Sequence, residues 1–228
     1  MLQKKKKLSK KEMKEDKLVT FINKSANFFD EYKNKVFIYG AVLVVAIAAV
    51  YFYINQKEED NLTAGTELSR VLSIYDQGAY LEAIEGRQGT NIIGLKRIVE
   101  EYGSTENGET AKIYLANAYM FLGNQEEAIK YYEDYGGSIE YLKAAALAGR
   151  AGFYASKGEY EKAADMYLSA GKVSNLNPEN PNYLLNAGIY YLQTGNEEEA
   201  KALFNEIKKD YTTSVAGREV NKYMAQIQ

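Results

Sequence analysis

The sequence predicts an all-α protein in which a single N-terminal transmembrane helix is followed by a solenoid of helical hairpins. Three observations carry that reading. The uncharged run from Val36 to Ile54 reads VFIYGAVLVVAIAAVYFYI. The 228 residues contain two prolines and are rich in Ala, Glu, Lys, Leu and Tyr, a composition that favours helix. Beyond residue 107, one pattern of small residue, aromatic and glycine recurs three times in register.

Residues 1–35 carry eleven lysines against five acids, a net +6, while the rest of the chain is net −9. Lys and Arg collect on the cytoplasmic flank of a membrane span, so the N-terminus is expected inside and the C-terminal domain outside. In a bacterium that makes a single-pass protein of the inner membrane with a periplasmic domain. The first residues, MLQKKKKLSKKEMKEDK, are too polar to bury a core and are drawn to anionic lipid headgroups. Leu18, Phe21, Ile22, Phe28, Phe29 and Tyr32 then recur near helical spacing with Lys17, Lys24 and Lys33 between them. That pattern suits an amphipathic helix lying in the interface before the chain turns across the bilayer. A docking helix for a cytosolic partner is the alternative.

The run 36–54 gives roughly 28 Å of helix at 1.5 Å per residue, close to the hydrocarbon thickness of a bilayer. In lipid the backbone must satisfy its own hydrogen bonds, which leaves a lone segment only the helix. Val36 and Ile54 bound the anchor, with Phe37 and Tyr39 at one end and Tyr51, Phe52 and Tyr53 at the other as an aromatic belt would place them. A cleaved signal peptide fits less well, because bulky aromatics and Asn55-Gln56 follow the run and the small-x-small match Ala46-Ile47-Ala48 lies inside it.

Residues 55–106 read as linking helices. Leu68, Val71, Leu72 and Tyr75 follow helical spacing over about 58–76, Gly78 breaks that helix, and a short one follows near Tyr80–Glu85. Gly86-Arg87-Gln88-Gly89-Thr90 reads as a loop. Ile92, Ile93, Leu95, Ile98, Val99 and Tyr102 give another amphipathic helix, closed by Gly103-Ser104-Thr105.

Residues 107–228 hold the repeats. KIYLANAYMFLGNQEEAIKYYEDY from Lys112, LAGRAGFYASKGEYEKAADMYLSA from Leu147 and LLNAGIYYLQTGNEEEAKALFNEI from Leu184 can be laid over one another. A small residue (Ala116, Ala151, Gly188) precedes a tyrosine by three (Tyr119, Tyr154, Tyr191). A glycine four residues on (Gly123, Gly158, Gly195) ends the first helix. An alanine five after it (Ala128, Ala163, Ala200) precedes an aromatic by four (Tyr132, Tyr167, Phe204). The turn glycines stand 35 and 37 residues apart, near the ~34 of a tetratricopeptide repeat, which this pattern resembles. Small residues belong where paired helices cross closely, aromatics fill the gap between hairpins, and glycine permits the turn. Val215 to Ile227 reads as the solvating cap helix that such stacks need.

The chain lacks His and Cys, so it can build neither a zinc-type cluster nor a Ser–His or Cys–His nucleophile. Gly136-Gly137-Ser138 is no phosphate loop, because no Lys follows it and no strand precedes it. Glu197-Glu198-Glu199 fits the first turn of a helix, where the dipole favours acids, better than a metal or catalytic cluster. Asn61-Leu62-Thr63 matches a glycosylation sequon close against the membrane. The acidic balance of the folded part opposes nucleic-acid binding despite its many tyrosines. No cofactor is implied. The protein reads as a binding module and not as an enzyme.

Such stacks bind partners along the concave surface lined by the first helix of each hairpin. By repeat position that face includes Thr110, Ile113, Asn117, Met120 and Phe121, then Gly152 and Ser156, then Asn182, Leu185, Ile189, Leu192 and Gln193. Ile113 and Leu185 stand where a lysine clamp for C-terminal carboxylates would require Lys.

Two further stretches carry a likeness. Ile93-Gly94-Leu95-Lys96-Arg97-Ile98 through Glu101-Tyr102-Gly103-Ser104-Thr105 leads into the repeats. Phe204-Asn205-Glu206-Ile207-Lys208-Lys209-Asp210-Tyr211 leads out to the last helix. Together with the order of Lys-rich tail, anchor and lone external repeat domain, they resemble the ancillary subunit of the bacterial SecYEG translocon. That resemblance implies a periplasm-facing inner-membrane protein that accompanies the translocon and a membrane-anchored chaperone of prolyl-isomerase type. A scaffold for cell-envelope assembly or division is the alternative function.

Overall fold

The computed structural model describes residues 10–227, among which ten α-helices form and no strand does. The basic residues 1–9 lie outside the described residues. The chain divides into two units, one up to Gln56 and one from Lys57 on.

Helix α1 runs Lys10–Tyr75. In the first unit the aromatic and aliphatic side chains of Val36, Phe37, Tyr39, Tyr51, Phe52, Tyr53 and Ile54 all stand exposed. From Tyr32 on, α1 is long and apolar enough to cross a membrane, a length and composition shared by anchors and signal sequences. The expected turn between an interfacial helix and the span does not form. Lys33-Asn34-Lys35 contains neither Gly nor Pro, and the α-helical ladder passes straight through it. Of the amphipathic stretch, Phe21, Ile22 and Phe28 are exposed. The side chains of Leu18 and Phe29 lie outside the described ones.

In the second unit the hairpins follow as α4 (Glu106–Phe121) with α5 (Gln125–Glu133), α6 (Glu140–Ser156) with α7 (Tyr160–Gly171), and α8 (Asn180–Gln193) with α9 (Glu197–Asp210). The last helix, α10, covers Val215–Met224. Each hairpin turns on one glycine: Gly123, Gly158 and Gly195 have φ of 76°, 78° and 80°. The glycine N–H donates to the carbonyl three residues back, and the next N–H to the carbonyl five back, as in Asn124 to Tyr119 and Asn196 to Tyr191. This is a Schellman ending, and its left-handed position disfavours any residue with a Cβ. The helix starts are equally local. Thr105 and Ser214 accept hydrogen bonds from the N–H groups of Gly108 (3.0 Å) and Gly217 (2.9 Å). Pro181 sits in the first turn of α8, and Glu197, Glu198 and Glu199 occupy the first turn of α9.

The linking region holds more of the same architecture than its sequence suggests. Gly78 has φ 77° and closes the end of α1 with the same two hydrogen bonds, its own to Tyr75 and that of Ala79 to Ile74. Ala83, five residues on, is fully buried in α2 (Tyr80–Glu85). The end of α1 and α2 therefore make a further, degenerate hairpin. Beyond it the loop from Gly86 to Gly94 interrupts the chain before α3 (Leu95–Tyr102). That loop is pinned by an isolated bridge between Gly86 and Ile93 and by the Arg87–Glu82 ion pair.

Close crossing is visible at each predicted small residue. Ala116, Ala128, Ala151, Ala163, Gly188 and Ala200 are all buried. A Cβ on Gly188 would overlap the ring of Phe204, and one on Gly149 would overlap that of Tyr132. One core joins Ala64, Leu68, Val71 and Ile74 of α1 to Leu95 and Ile98 of α3 and Leu115 of α4. A second joins Ile113, Ala128, Tyr132 and Leu142. A third runs from Leu184 through Phe204 and Ile207 to Val220 of the cap. The α1–α4 junction is further held by Asn61, whose Oδ1 accepts from the Asn107 N–H (2.9 Å) and from Asn107 Nδ2 (3.1 Å).

Truncating Phe204 to Ala, in a fully enclosed position, is expected to lower stability by about 3–5 kcal/mol in urea unfolding followed by circular dichroism. Asn107→Ala removes the two bonds that Asn107 Nδ2 makes to Asn61 and keeps the backbone N–H bond to Asn61 Oδ1, so a loss of about 0.5–1.5 kcal/mol is expected in the same assay.

Candidate partner-binding site

The repeat stack leaves one wide groove open on the side of its first helices. Helix α4 contributes Ile113, Tyr114 and Asn117, and α6 contributes Glu140, Tyr141, Leu142 and Ala145. The α7–α8 loop supplies Ser174, Leu176, Asn177, Pro178 and Glu179, and α8 supplies Tyr183. The enclosed volume is about 630 Å³, within the range of ligand pockets. Its wall is mostly apolar, its charged lining residues are Glu140 and Glu179, and no Lys or Arg is among them.

The floor is set by a chain of polar contacts. Tyr132 of α5 donates its hydroxyl hydrogen to Asn117 Oδ1 at 2.5 Å. That amide thus ties α4 to α5 at the groove. Lys112, on the adjoining face of α4, is buried and held by Glu109 (3.0 Å) and by the side chain (2.9 Å) and carbonyl (3.1 Å) of Asp134. Burial works against its charge, but the hydrogen bonds from Lys112 to Asp134 and Glu109 prevail and hold the ammonium above its ordinary pKa. Glu109 in turn accepts from the Gly136 N–H at 2.8 Å, which closes the end of α5 against α4.

Of the residues expected on the concave face, Ile113 and Asn117 line this groove. Ile113 is 2% exposed, so it offers the groove an edge and the core most of its surface. Thr110 turns its hydroxyl back to the Glu106 carbonyl. Met120 packs on the core around Tyr132, and Leu185, Ile189 and Leu192 belong to the core that contains Phe204. Phe121 is 63% exposed and stacks on Tyr80 with ring centres 4.5 Å apart. Gly152 faces the Tyr167 hydroxyl, and Ser156 reaches Gln125 of the preceding hairpin at 2.7 Å. Asn182 donates to Glu179 at 2.8 Å, and Gln193 is exposed at the end of α8.

Sequence reasoning missed Tyr114, Tyr141, Leu142, Ala145, the loop from Ser174 to Glu179, and Tyr183. Ala145 carries a signal, since it occupies the repeat position of Thr110 and Asn182. The loop carries another in Leu176-Asn177-Pro178, an apolar residue and a turn pair inserted between repeats.

The tetratricopeptide repeat family matches residues 110–136 and 183–214. These are the first and last hairpins, α4 with α5 and α8 with α9. The middle hairpin shares their turn but lies outside the match. No curated protein and no solved structure gives a significant match to the chain. The folded C-terminal part thus contains tetratricopeptide repeats, which are typical of non-enzymatic scaffolds that bind other proteins. Among the described residues no group of three or more acidic side chains converges as a metal ligand set.

The tyrosines make the stack sensitive to alkali. Burial, with Tyr80 close by, pushes the Tyr75 phenol up to about 12, and burial beside Tyr190 does the same for Tyr167. Burial also raises Tyr114 and Tyr183 at the groove, and Tyr132 beneath it. Phenols ionise near pH ~10 in the unfolded chain. The stabilisation is therefore complete below that pH and is lost as pH climbs toward 12. In a titration, the part of the phenolate rise near 295 nm that comes from the buried tyrosines is expected to coincide with cooperative loss of helical ellipticity above pH ~10.

Proposed function

We propose that the protein is a membrane-anchored adaptor whose repeat groove holds a partner protein on the external face of a bacterial inner membrane. The observation that carries the reading is the open, aromatic-lined groove of about 630 Å³ formed by the first helices of successive repeats. The long apolar run of α1 supports an anchor, and the Lys-rich flank before it supports a cytoplasmic N-terminus with the repeats periplasmic. The order of these parts, with the stretches around Ile93 and Phe204, supports a place beside a SecYEG-type translocon. There the groove would hold a membrane-anchored chaperone of prolyl-isomerase type or an emerging polypeptide. The basic tail would rest on anionic lipid.

Mild-detergent affinity purification of the full-length protein, read by mass spectrometry, tests this. Translocon subunits together with a membrane-anchored chaperone are the expected co-purifying proteins. The chaperone should be lost from a Tyr141→Ala/Tyr183→Ala variant that still fractionates with membranes. Membranes yielding neither would sink the translocon assignment, and recovery of wall or outer-membrane assembly proteins would move the adaptor to envelope scaffolding.

A further inference from the structure

We infer that the groove takes an extended apolar segment flanked by Lys or Arg, and discriminates against segments ending in a free carboxylate. This rests on the groove being the partner site. Three independent features of the site point the same way.

The first is charge. Glu140 and Glu179 are both exposed, and neither has a cationic partner among the described residues. Glu179 accepts a hydrogen bond from Asn182 (2.8 Å), a neutral donor that brings no side-chain counter-charge. Lys112 is already closed off by Glu109 and Asp134, so α4 lends the groove no cation. An incoming carboxylate would be desolvated beside two like charges, while Lys or Arg flanks would meet two open acceptors.

The second is an unused donor. Asn177 is 8% exposed, and its Oδ1 accepts from the Glu179 N–H at 3.0 Å, which orients the amide. Its Nδ2 has no hydrogen-bond partner among the described residues. A buried donor left unpaired is costly and calls for an acceptor. A helical ligand keeps its carbonyls for itself, whereas an extended one has carbonyls to offer. The third is surface. Leu176 stands 92% exposed and Tyr141, which also lines the groove, is exposed too, so apolar area remains for a ligand to cover.

The test uses the full-length protein in detergent and three fluorescent peptides read by anisotropy. One is an apolar, proline-containing core with Lys flanks and an amidated end. The second has the same core with Glu flanks, and the third has a Glu-rich free C-terminus. The Lys-flanked peptide is expected to bind about three- to tenfold tighter than the Glu-flanked one at low salt. That gap should narrow as salt shortens the screening length. Glu140→Lys/Glu179→Lys should reverse the order, with circular dichroism unchanged. Equal or tighter binding of either acidic peptide, or no binding of the Lys-flanked one up to ~1 mM, overturns the inference. Tyr141→Ala/Tyr183→Ala separates the two readings. If it abolishes peptide binding and charge reversal changes nothing, the charge inference alone fails. If it leaves binding intact, the groove is not the partner site.

Discussion

The repeat stack depends on a single backbone constraint. Four glycines, at 78, 123, 158 and 195, hold φ between 76° and 80° and end four helices in the same hydrogen-bonded turn. That conformation costs a residue with a Cβ roughly 1–2 kcal/mol and costs glycine almost nothing. Because every turn is the same, each second helix returns along its first at the same offset. The small residues at Ala116 and Ala128, Ala151 and Ala163, and Gly188 and Ala200 then meet at the crossing. The groove follows from that geometry. First helices stacked in parallel leave a trough on their open side, and the longer α7–α8 connection folds over one end of it.

Aromatic side chains do two different jobs in this arrangement. Phe204 and Tyr132 are enclosed and fill the space that glycine leaves open, Phe204 against Gly188 and Tyr132 against Gly149. Tyr114, Tyr141 and Tyr183 instead line the trough, where the described residues leave them partly or largely uncovered. The Tyr80–Phe121 stack lies outside the groove, at the two turns beginning with Gly78 and Gly123. A count of tyrosines does not separate these roles, whereas their partners do.

Much of the fold could be read from residue spacing, because glycine, small residue and aromatic each answer a local geometric need. The three hairpins and the cap helix lie where their patterns place them. The Gly78 hairpin escaped notice because the loop from Gly86 to Gly94 stretches its distance to Gly123 to 45 residues and hides the period. The groove was legible only in part. Repeat position identified Ile113 and Asn117, but whether a concave position is open or covered depends on helix tilt and on loop length. Leu185, Ile189 and Leu192 share the pattern and are drawn instead into the core around Phe204. Turn residues mark where a connection bends but not which trough it covers, so the contribution of Leu176 and Asn177 emerged only in three dimensions.

The middle hairpin is the odd member of the stack. Its buried positions are Leu142 and the small residues Ala144, Ala146, Ala151, Ala163, Ala164, Ala170 and Gly171, in place of the Leu, Ile and Phe of its neighbours. Alanine gives up no rotamers on folding and exposes little apolar surface on unfolding. The fully buried apolar surface that unfolding exposes is therefore smaller at the centre of the solenoid than at its two ends. Apolar stabilisation weakens on cooling in proportion to that surface. The fully enclosed apolar support that fades in the cold therefore lies more in the flanking hairpins than in the alanine-built centre.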